Sequence, residues 1–181
     1  MSRKEFTEED LVYALYQHCS DHRYQLAMGN STKVLGYTGE SDFLAVNRKG
    51  YIEEFEIKTD HWDFERDFMD RGNKKRRHEI LSDLSNLTIM QKRMPNQFYF
   101  VCPNRVIQED EVPEYAGLMY VDYSPKLVHG HQQPRITVIK KAPILHTMII
   151  SDRRKKKFTQ EMIFRAMTYS RKIFRERRKK K

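Results

Sequence analysis

Apolar residues near the start of the chain recur every four positions, at Leu11, Leu15 and Cys19, which is the repeat of a helix with one buried stripe. Thr7-Glu8-Glu9-Asp10 precedes them and supplies an N-cap and an acidic first turn, so about three turns of helix are expected. The period then changes to that of strands. Tyr24 to Met28 reads as extended, with Gly29-Asn30-Ser31 as a break, and Val34 to Tyr37 as a short extended piece. Asp42 to Val46, the loop Asn47-Arg48-Lys49-Gly50 and Tyr51 to Lys58 form a hairpin by composition and spacing. Residues 63–86 are rich in charge around Phe64, Phe68, Ile80, Leu81 and Leu84, which predicts helices interrupted near Gly72-Asn73. The continuous apolar run Phe98 to Cys102 predicts a buried strand stopped by Pro103. Gly117 to Val121 and Arg135 to Ile139 predict two more, with His129-Gly130-His131 in a loop between them. Thr159 is placed to cap a last helix, whose stripe Met162/Ile163, Ala166/Met167 and Ile173/Phe174 is expected to pack on its own domain. No internal repeat is visible.

With 181 residues and 39% hydrophobic content, one core with an appendage is expected. Charge divides the chain. Residues 151–181 hold fourteen Lys and Arg against Asp152, Glu161 and Glu176, a net +11, whereas residues 1–150 carry 20 basic and 22 acidic residues, or −2. The division predicts a body over residues 1–150 and a basic amphipathic helical tail over 151–181. Such a tail attracts polyphosphates and makes binding salt-dependent. No apolar run reaches the ~20 residues of a membrane span, and MSRKEFTEEDL has no signal-peptide stretch. A soluble, cytoplasmic, nucleic-acid-associated protein with no membrane partner is expected. Cys19 and Cys102 support neither a disulfide framework nor a zinc ribbon.

Candidate chemistry lies in the hairpin, in FEIKTD at residues 55–60. Alternation along a strand puts Ile52, Glu54, Glu56 and Lys58 on one face and Phe55 and Ile57 on the other, leaving a line of charge opposite the apolar face. A three-residue loop with Gly50 at positive φ pairs Asn47 with Tyr51, and counting back pairs Asp42 with Glu56. A two-residue loop would shift the pairing by one. Two carboxylates facing each other are destabilising, and a divalent cation between them removes the conflict. Hard oxygen ligands suit magnesium, with manganese as a substitute. Lys58 then stands where it orients a metal-bound water or steadies charge on phosphorus, and these are parts for phosphodiester hydrolysis. His18 and His22, one helical turn apart, match a metal pair in spacing but have no third ligand nearby.

These residues resemble the PD-(D/E)XK nuclease superfamily: Asp42, thirteen residues, then Glu56-Ile57-Lys58, on a hairpin after a first helix. More narrowly, FEIKTDHWDFERD followed by PNQFYFVCP, VPEYAGLMYV and VIKKAP is similar to the MmcB-like branch and related phage proteins, over roughly residues 40–145. The resemblance implies an α/β fold with the restriction-endonuclease-like core α-β-β-β-α-β, a mixed sheet flanked by helices, and a magnesium-dependent DNA nuclease of phage or bacterial DNA processing or repair. It implies that Asp42 and Glu56 bind the metal with the backbone carbonyl of Ile57, that Lys58 is catalytic, and that Asp63 and Asp67 support the site. Ser41-Asp42 stands where the motif's name has Pro-Asp. Many members bring a first-helix glutamate to the site; Glu9 is the candidate here, with Glu8 and Asp10 as close in sequence. Related folds often dimerise to cut both strands, so a homodimer is compatible with it.

Arg71, Lys74, Lys75, Arg76, Arg77 and His78 form a second basic patch suited to clamping the DNA backbone, with His78 also a candidate for proton transfer. Arg153, Arg154, Lys155, Lys156 and Lys157 open the tail and are expected on DNA as well. Trp62, beside the motif, is expected to fill the core, although its ring also suits stacking on an unpaired base. The alternative from another class is a non-catalytic nucleic-acid-binding protein, or an accessory subunit whose tail docks on a repair or replication partner.

Overall fold

The computed structural model describes residues 6–32, 34–35, 40–69, 72–83, 94–128 and 131–179. Helix α1, Glu8–Asp21, opens on a reciprocal cap: Thr7 Oγ1 accepts from the Asp10 N–H at 3.2 Å, and Asp10 Oδ2 accepts from the Thr7 N–H at 3.0 Å. Its Leu11, Ala14, Leu15 and Cys19 are buried. The strands are β1 (Leu26–Ser31), β2 (Ser41–Val46), β3 (Ile52–Ile57), β4 (Gln97–Pro103), β5 (Ala116–Val128) and β6 (His131–Lys140). Helices α2 (His61–Met69) and α3 (Asn73–Ser82) connect β3 to β4, and α4 (Asp152–Lys179) closes the chain. Among the described residues the six strands form one sheet in chain order. β1, β2 and β3 are antiparallel, β3, β4 and β5 run parallel, and β6 returns antiparallel to β5. The protein is therefore α/β, with a mixed sheet flanked by helices.

Each face of the sheet has its own cover. On one, Leu11, Leu15 and Cys19 of α1 pack against Phe43, Ala45, Phe55, Ile57, Tyr99 and Val101. On the other, Phe64 of α2 and Leu81 of α3 pack against Phe98, Phe100 and Leu118, while Phe158 of α4 joins Leu44, Val46 and Ile52. β3 is consequently buried along its whole length. The expected alternation holds, but the charged side of the strand faces α2 and α3, not solvent.

Several elements differ from expectation. β1 runs through Gly29-Asn30-Ser31, because Ser31 pairs with Ser41 and the ladder tolerates Asn30 at φ 52°. β5 and β6 are longer than their apolar cores and take in His131, since pairing continues to Val128↔His131. α4 begins at Asp152, where the Ser151 carbonyl accepts from the N–H groups of Arg154 and Lys155, both at 2.9 Å. Thr159 is thus inside the helix, and its hydroxyl donates to the Lys155 carbonyl at 3.0 Å. The tail stripe does not pack as a whole: Phe158 is buried and Met162 half-buried, but Ile163, Met167 and Phe174 are exposed. Val34 and Leu35 are buried without forming a strand. Gly36, Tyr37, Arg71, Leu84, His129 and Gly130 lie outside the described residues, as does the side chain of Ile173. No helix among the described residues is long and apolar enough to cross a membrane. Cys19 and Cys102 are free and buried, and burial pushes both thiols up to about 12, which leaves them unreactive.

Candidate functional site

The hairpin turn fixes everything that follows. Gly50 has φ 81°, the Asn47 N–H donates to the Tyr51 carbonyl at 3.0 Å, and Asn47 Oδ1 accepts from the Lys49 and Tyr51 N–H groups at 2.9 and 3.2 Å. The register then runs Val46↔Ile52, Ala45↔Glu53, Leu44↔Glu54 and Phe43↔Phe55. Asp42 and Glu56 are the next positions outward, as the three-residue loop requires. Asp42 Oδ2 accepts from the Ile57 N–H at 2.9 Å, which draws the carboxyl to the strand edge that also carries the Ile57 carbonyl. Burial, and then the charge of Glu56, push the Asp42 carboxyl up to about 7.

Around this pair the chain assembles a buried ionic cluster at the carboxyl end of β3. Lys58 is 0% exposed, and its backbone is tied to β4 by a 2.9 Å bond to the Val101 carbonyl. Its ammonium lies 3.2 Å from Glu56 Oε1, 2.5 Å from Asp67 Oδ2 and 3.6 Å from Asp63 Oδ2. Both aspartates come from α2, which Asp60 caps by accepting from the Asp63 N–H at 2.8 Å. α3 contributes two cations. Lys74 Nζ stands 2.8 Å from Glu56 Oε1 and 3.4 Å from Asp67 Oδ1, and Arg77 Nη1 stands 2.6 Å from Glu56 Oε2 and 3.5 Å from Glu54 Oε1. Burial opposes ionisation of Glu56, but Arg77, Lys58 and Lys74 outweigh it and hold the carboxyl below its usual range. The Asp67 carboxyl is held low in the same way, by His78 and Lys58 against its burial. Lys74 is raised: burial works against its charge, and Glu56 more than compensates.

The expected basic patch splits on folding. Arg77 and His78 are buried instead of facing DNA, because α3 turns them onto the sheet. Arg77 Nη2 also donates to the Glu40 carbonyl at 2.5 Å. His78 Nδ1 lies 2.8 Å from the Tyr115 hydroxyl and its Nε2 3.6 Å from Asp67 Oδ2, with its ring stacked 4.6 Å from Phe68. Its surroundings are those of a positioning group behind Asp67. Arg76 is exposed, Lys75 half-buried, and Lys74 44% exposed by its side chain. Glu9 is exposed on α1, in a cleft with Tyr13, Tyr16 and Asn30, and lies on the helix that covers the opposite face of the sheet from Glu56. Trp62 does not fill the core: it is 63% exposed on the outer side of α2.

The tail is divided as well. Arg153, Arg154 and Lys157 line a cavity of about 340 Å³ with Ile52, Asn96 and His146, at the far end of β3 from Glu56. From there α4 crosses to the site end of the sheet. Glu161 accepts from Ser31 Oγ at 3.2 Å and the Thr32 N–H at 3.1 Å, and Arg165 comes within 4.0 Å of Glu40. Arg171, Lys172 and Arg175 follow in the same helix. The tail cation whose contacts reach this end of the sheet is thus Arg165.

Sequence reasoning gave no role to Glu54, which is buried, accepts from Ser41 Oγ at 2.6 Å and faces Arg77. The signal was its parity with Glu56. Glu53, of opposite parity, accepts from the Tyr24 hydroxyl at 2.6 Å and from Asn47 Nδ2 at 2.8 Å on the α1 side.

Asp42, Glu56 and the Ile57 carbonyl present oxygens of the kind magnesium takes, and burial first and the charge of Glu56 second make ionisation of Asp42 costly there. The fit requires one exchange: Lys74 must leave Glu56 Oε1. Among the described residues, no group of three or more His, Cys, Asp and Glu converges as a metal cage, so water and substrate oxygens would complete the shell.

No family model matches the chain, and no curated protein matches it. Among solved structures, the SPO1766 protein of unknown function from Silicibacter pomeroyi is similar in fold, with TM-score 0.56 and 13% identity over 93% of this chain and 90% of that one.

Proposed function

We propose that this protein is a metal-dependent deoxyribonuclease that hydrolyses phosphodiester bonds on a restriction-endonuclease-like core of the PD-(D/E)XK type. One observation carries the reading: Asp42, one position beyond the Phe43↔Phe55 pair, accepts from the Ile57 N–H at 2.9 Å beside Glu56, whose Oε1 lies 3.2 Å from the Lys58 ammonium. The order α1, β1, β2, β3, α2, β4, with three antiparallel strands and then a parallel one, accords with it.

Asp42, Glu56 and the Ile57 carbonyl would hold magnesium or manganese, which when bound polarises the phosphate and lowers the pKa of water. Lys58 places a fixed positive charge where negative charge develops on the phosphate oxygens. Asp67 holds that ammonium at 2.5 Å, with His78 behind it, and Asp63 flanks it. Arg77 keeps Glu56 ionised and in place. Lys75, Arg76 and the cations of α4 from Arg165 onward supply phosphate attraction around the same edge. The exposed stripe Ile163, Met167 and Phe174 is the surface on which a repair or replication partner, or a second copy, would dock.

Purified protein incubated with plasmid and with oligonucleotides is expected to cleave with Mg²⁺ or Mn²⁺ and not with chelator. Lys58→Met should lower cleavage by on the order of 10²–10³-fold, and Glu56→Gln should abolish it, with DNA binding retained by both. Unchanged cleavage in either variant rejects the assignment. A second reading has its own support, because three cations already engage both oxygens of Glu56. It is a non-catalytic DNA-binding protein on the same scaffold, and retention of DNA by the native chain without cleavage in either metal would select it.

A further inference from the structure

Helix α2 has two working sides. Asp63 and Asp67 point to Lys58, and Phe64 and Phe68 pack toward Phe100. At 100° per residue the remaining side carries Trp62, Arg66 and Met69, a stripe adjoining the edge of the two aspartates. Trp62 and Met69 are each 63% exposed, and the Arg66 side chain between them is 60% exposed. Arg66 is steadied by Asp63, with Nη2 2.6 Å from Oδ1, and on the helix it follows Trp62 by one turn. Leaving an indole in water on the helix that builds the ionic cluster forgoes its burial. Nothing in the packing of α2 requires it there, since Phe64 and Phe68 already supply the core contacts.

We propose that the Trp62–Arg66–Met69 face of α2 is a stacking platform for an unpaired nucleotide of the strand entering the cluster, so that this protein prefers single-stranded or frayed nucleic acid to intact duplex. The proposal rests on the nuclease reading for the direction of the strand, and not for the stacking itself. Three features select this occupant. An aromatic face followed by an arginine one helical turn away is the combination on which bases stack without sequence preference. The neighbouring α3 carries Lys75 and Arg76, which suit the backbone. In paired DNA both faces of each base are covered by its neighbours, so only an unpaired or end nucleotide offers a ring to the indole.

Trp62 is the single tryptophan of the chain, so its fluorescence reports the platform directly. The full chain, in chelator to prevent cleavage, is titrated with oligo-dT, with a blunt duplex of equal length and with anionic lipid vesicles. Quenching by oligo-dT well beyond that by duplex is expected. In parallel, anisotropy of labelled DNA should show Trp62→Ala weakening oligo-dT binding by about 5–100-fold with duplex binding unchanged, and Trp62→Phe restoring most of the loss. Equal quenching by both DNAs, equal or no loss of affinity in Trp62→Ala, or a response to vesicles alone overturns the proposal. Cleavage of the two DNAs by native protein in Mg²⁺ is scored separately. Metal-dependent cleavage without selective stacking refutes only the platform, and selective stacking without cleavage refutes only the nuclease reading.

Discussion

At the residue scale the informative group is Asp42. Its folded carboxyl titrates at about 7, against about 3.9 in an unfolded chain, so the folded state holds a proton that the unfolded state has released. The stability this confers is fully present below about pH 3.9 and is lost as pH rises through about 7. Asp42→Asn stays neutral throughout, and thermal melts should show it equal to the native chain near pH 4 and more stable at pH 8, by about 1–3 kcal/mol. At pH 8, Mg²⁺ should raise the melting temperature of the native chain and not that of the variant; equal shifts would count against Asp42 as a ligand. The juxtaposition with Glu56 was legible in the sequence as the outcome of one of two loop lengths, and the turn with Gly50 at φ 81° and Asn47 bonded to Tyr51 selects the three-residue loop. Of the cations around Glu56, Lys58 was legible as well and the other two were not. Arg77 and Lys74 lie 21 and 18 positions further on, and only the docking of α3 on the sheet turned a surface-looking basic run inward. Trp62 failed in the opposite sense: hydrophobicity predicts burial for a large ring, but Phe64 and Phe68 took the core-facing positions of α2.

At the element scale, periodicity located α1, β2, β3 and β4 well and misplaced the boundaries of β1, β5, β6 and α4. Strand ends follow hydrogen-bonded neighbours, and a residue such as Asn30 that reads as a breaker in isolation is carried by its ladder. The parallel centre of the sheet also imposes a constraint invisible in one segment. A side chain on Gly117 of β5 would bring its β-carbon within 2.5 Å of the Tyr99 ring and 2.6 Å of the Ala142 nitrogen. Gly117→Ala is therefore expected to destabilise by about 1–3 kcal/mol, read as a lower denaturation midpoint. No loss of stability would mean that the segment after β6 shifts easily. Because Tyr99 packs on the α1 face, away from Glu56, the Lys58 cluster should keep its geometry in this variant.

At the scale of the whole molecule, a body of charge −2 is joined to a tail of +11. The tail is not a separate appendage in its first turns, since Phe158 and Glu161 are buried against the body and Arg165, one turn on, comes within 4.0 Å of Glu40. Truncation after Phe174 removes Arg175, Arg177, Arg178 and Lys179 to Lys181 and leaves the packed turns intact. It is expected to weaken DNA binding at low salt and to flatten the plot of log K against log salt by about 0.7–0.9 for each phosphate no longer neutralised. The melting temperature should hold. An unchanged salt slope would show that these charges do not meet DNA.

The sequence by itself determined the shared parity of Glu56 and Lys58 and the division of charge, and narrowed the partner of Asp42 to what two loop lengths allow, because each depends on neighbours a few residues apart or on simple sums. Only the tertiary structure decided that this charged face is buried, that Arg77 and Lys74 neutralise Glu56, that Trp62 faces outward, and that Arg165 of the tail reaches Glu40. Those outcomes depend on how α2, α3 and α4 dock on the sheet, and docking is settled by competition among apolar groups for the same surface, which no single segment records.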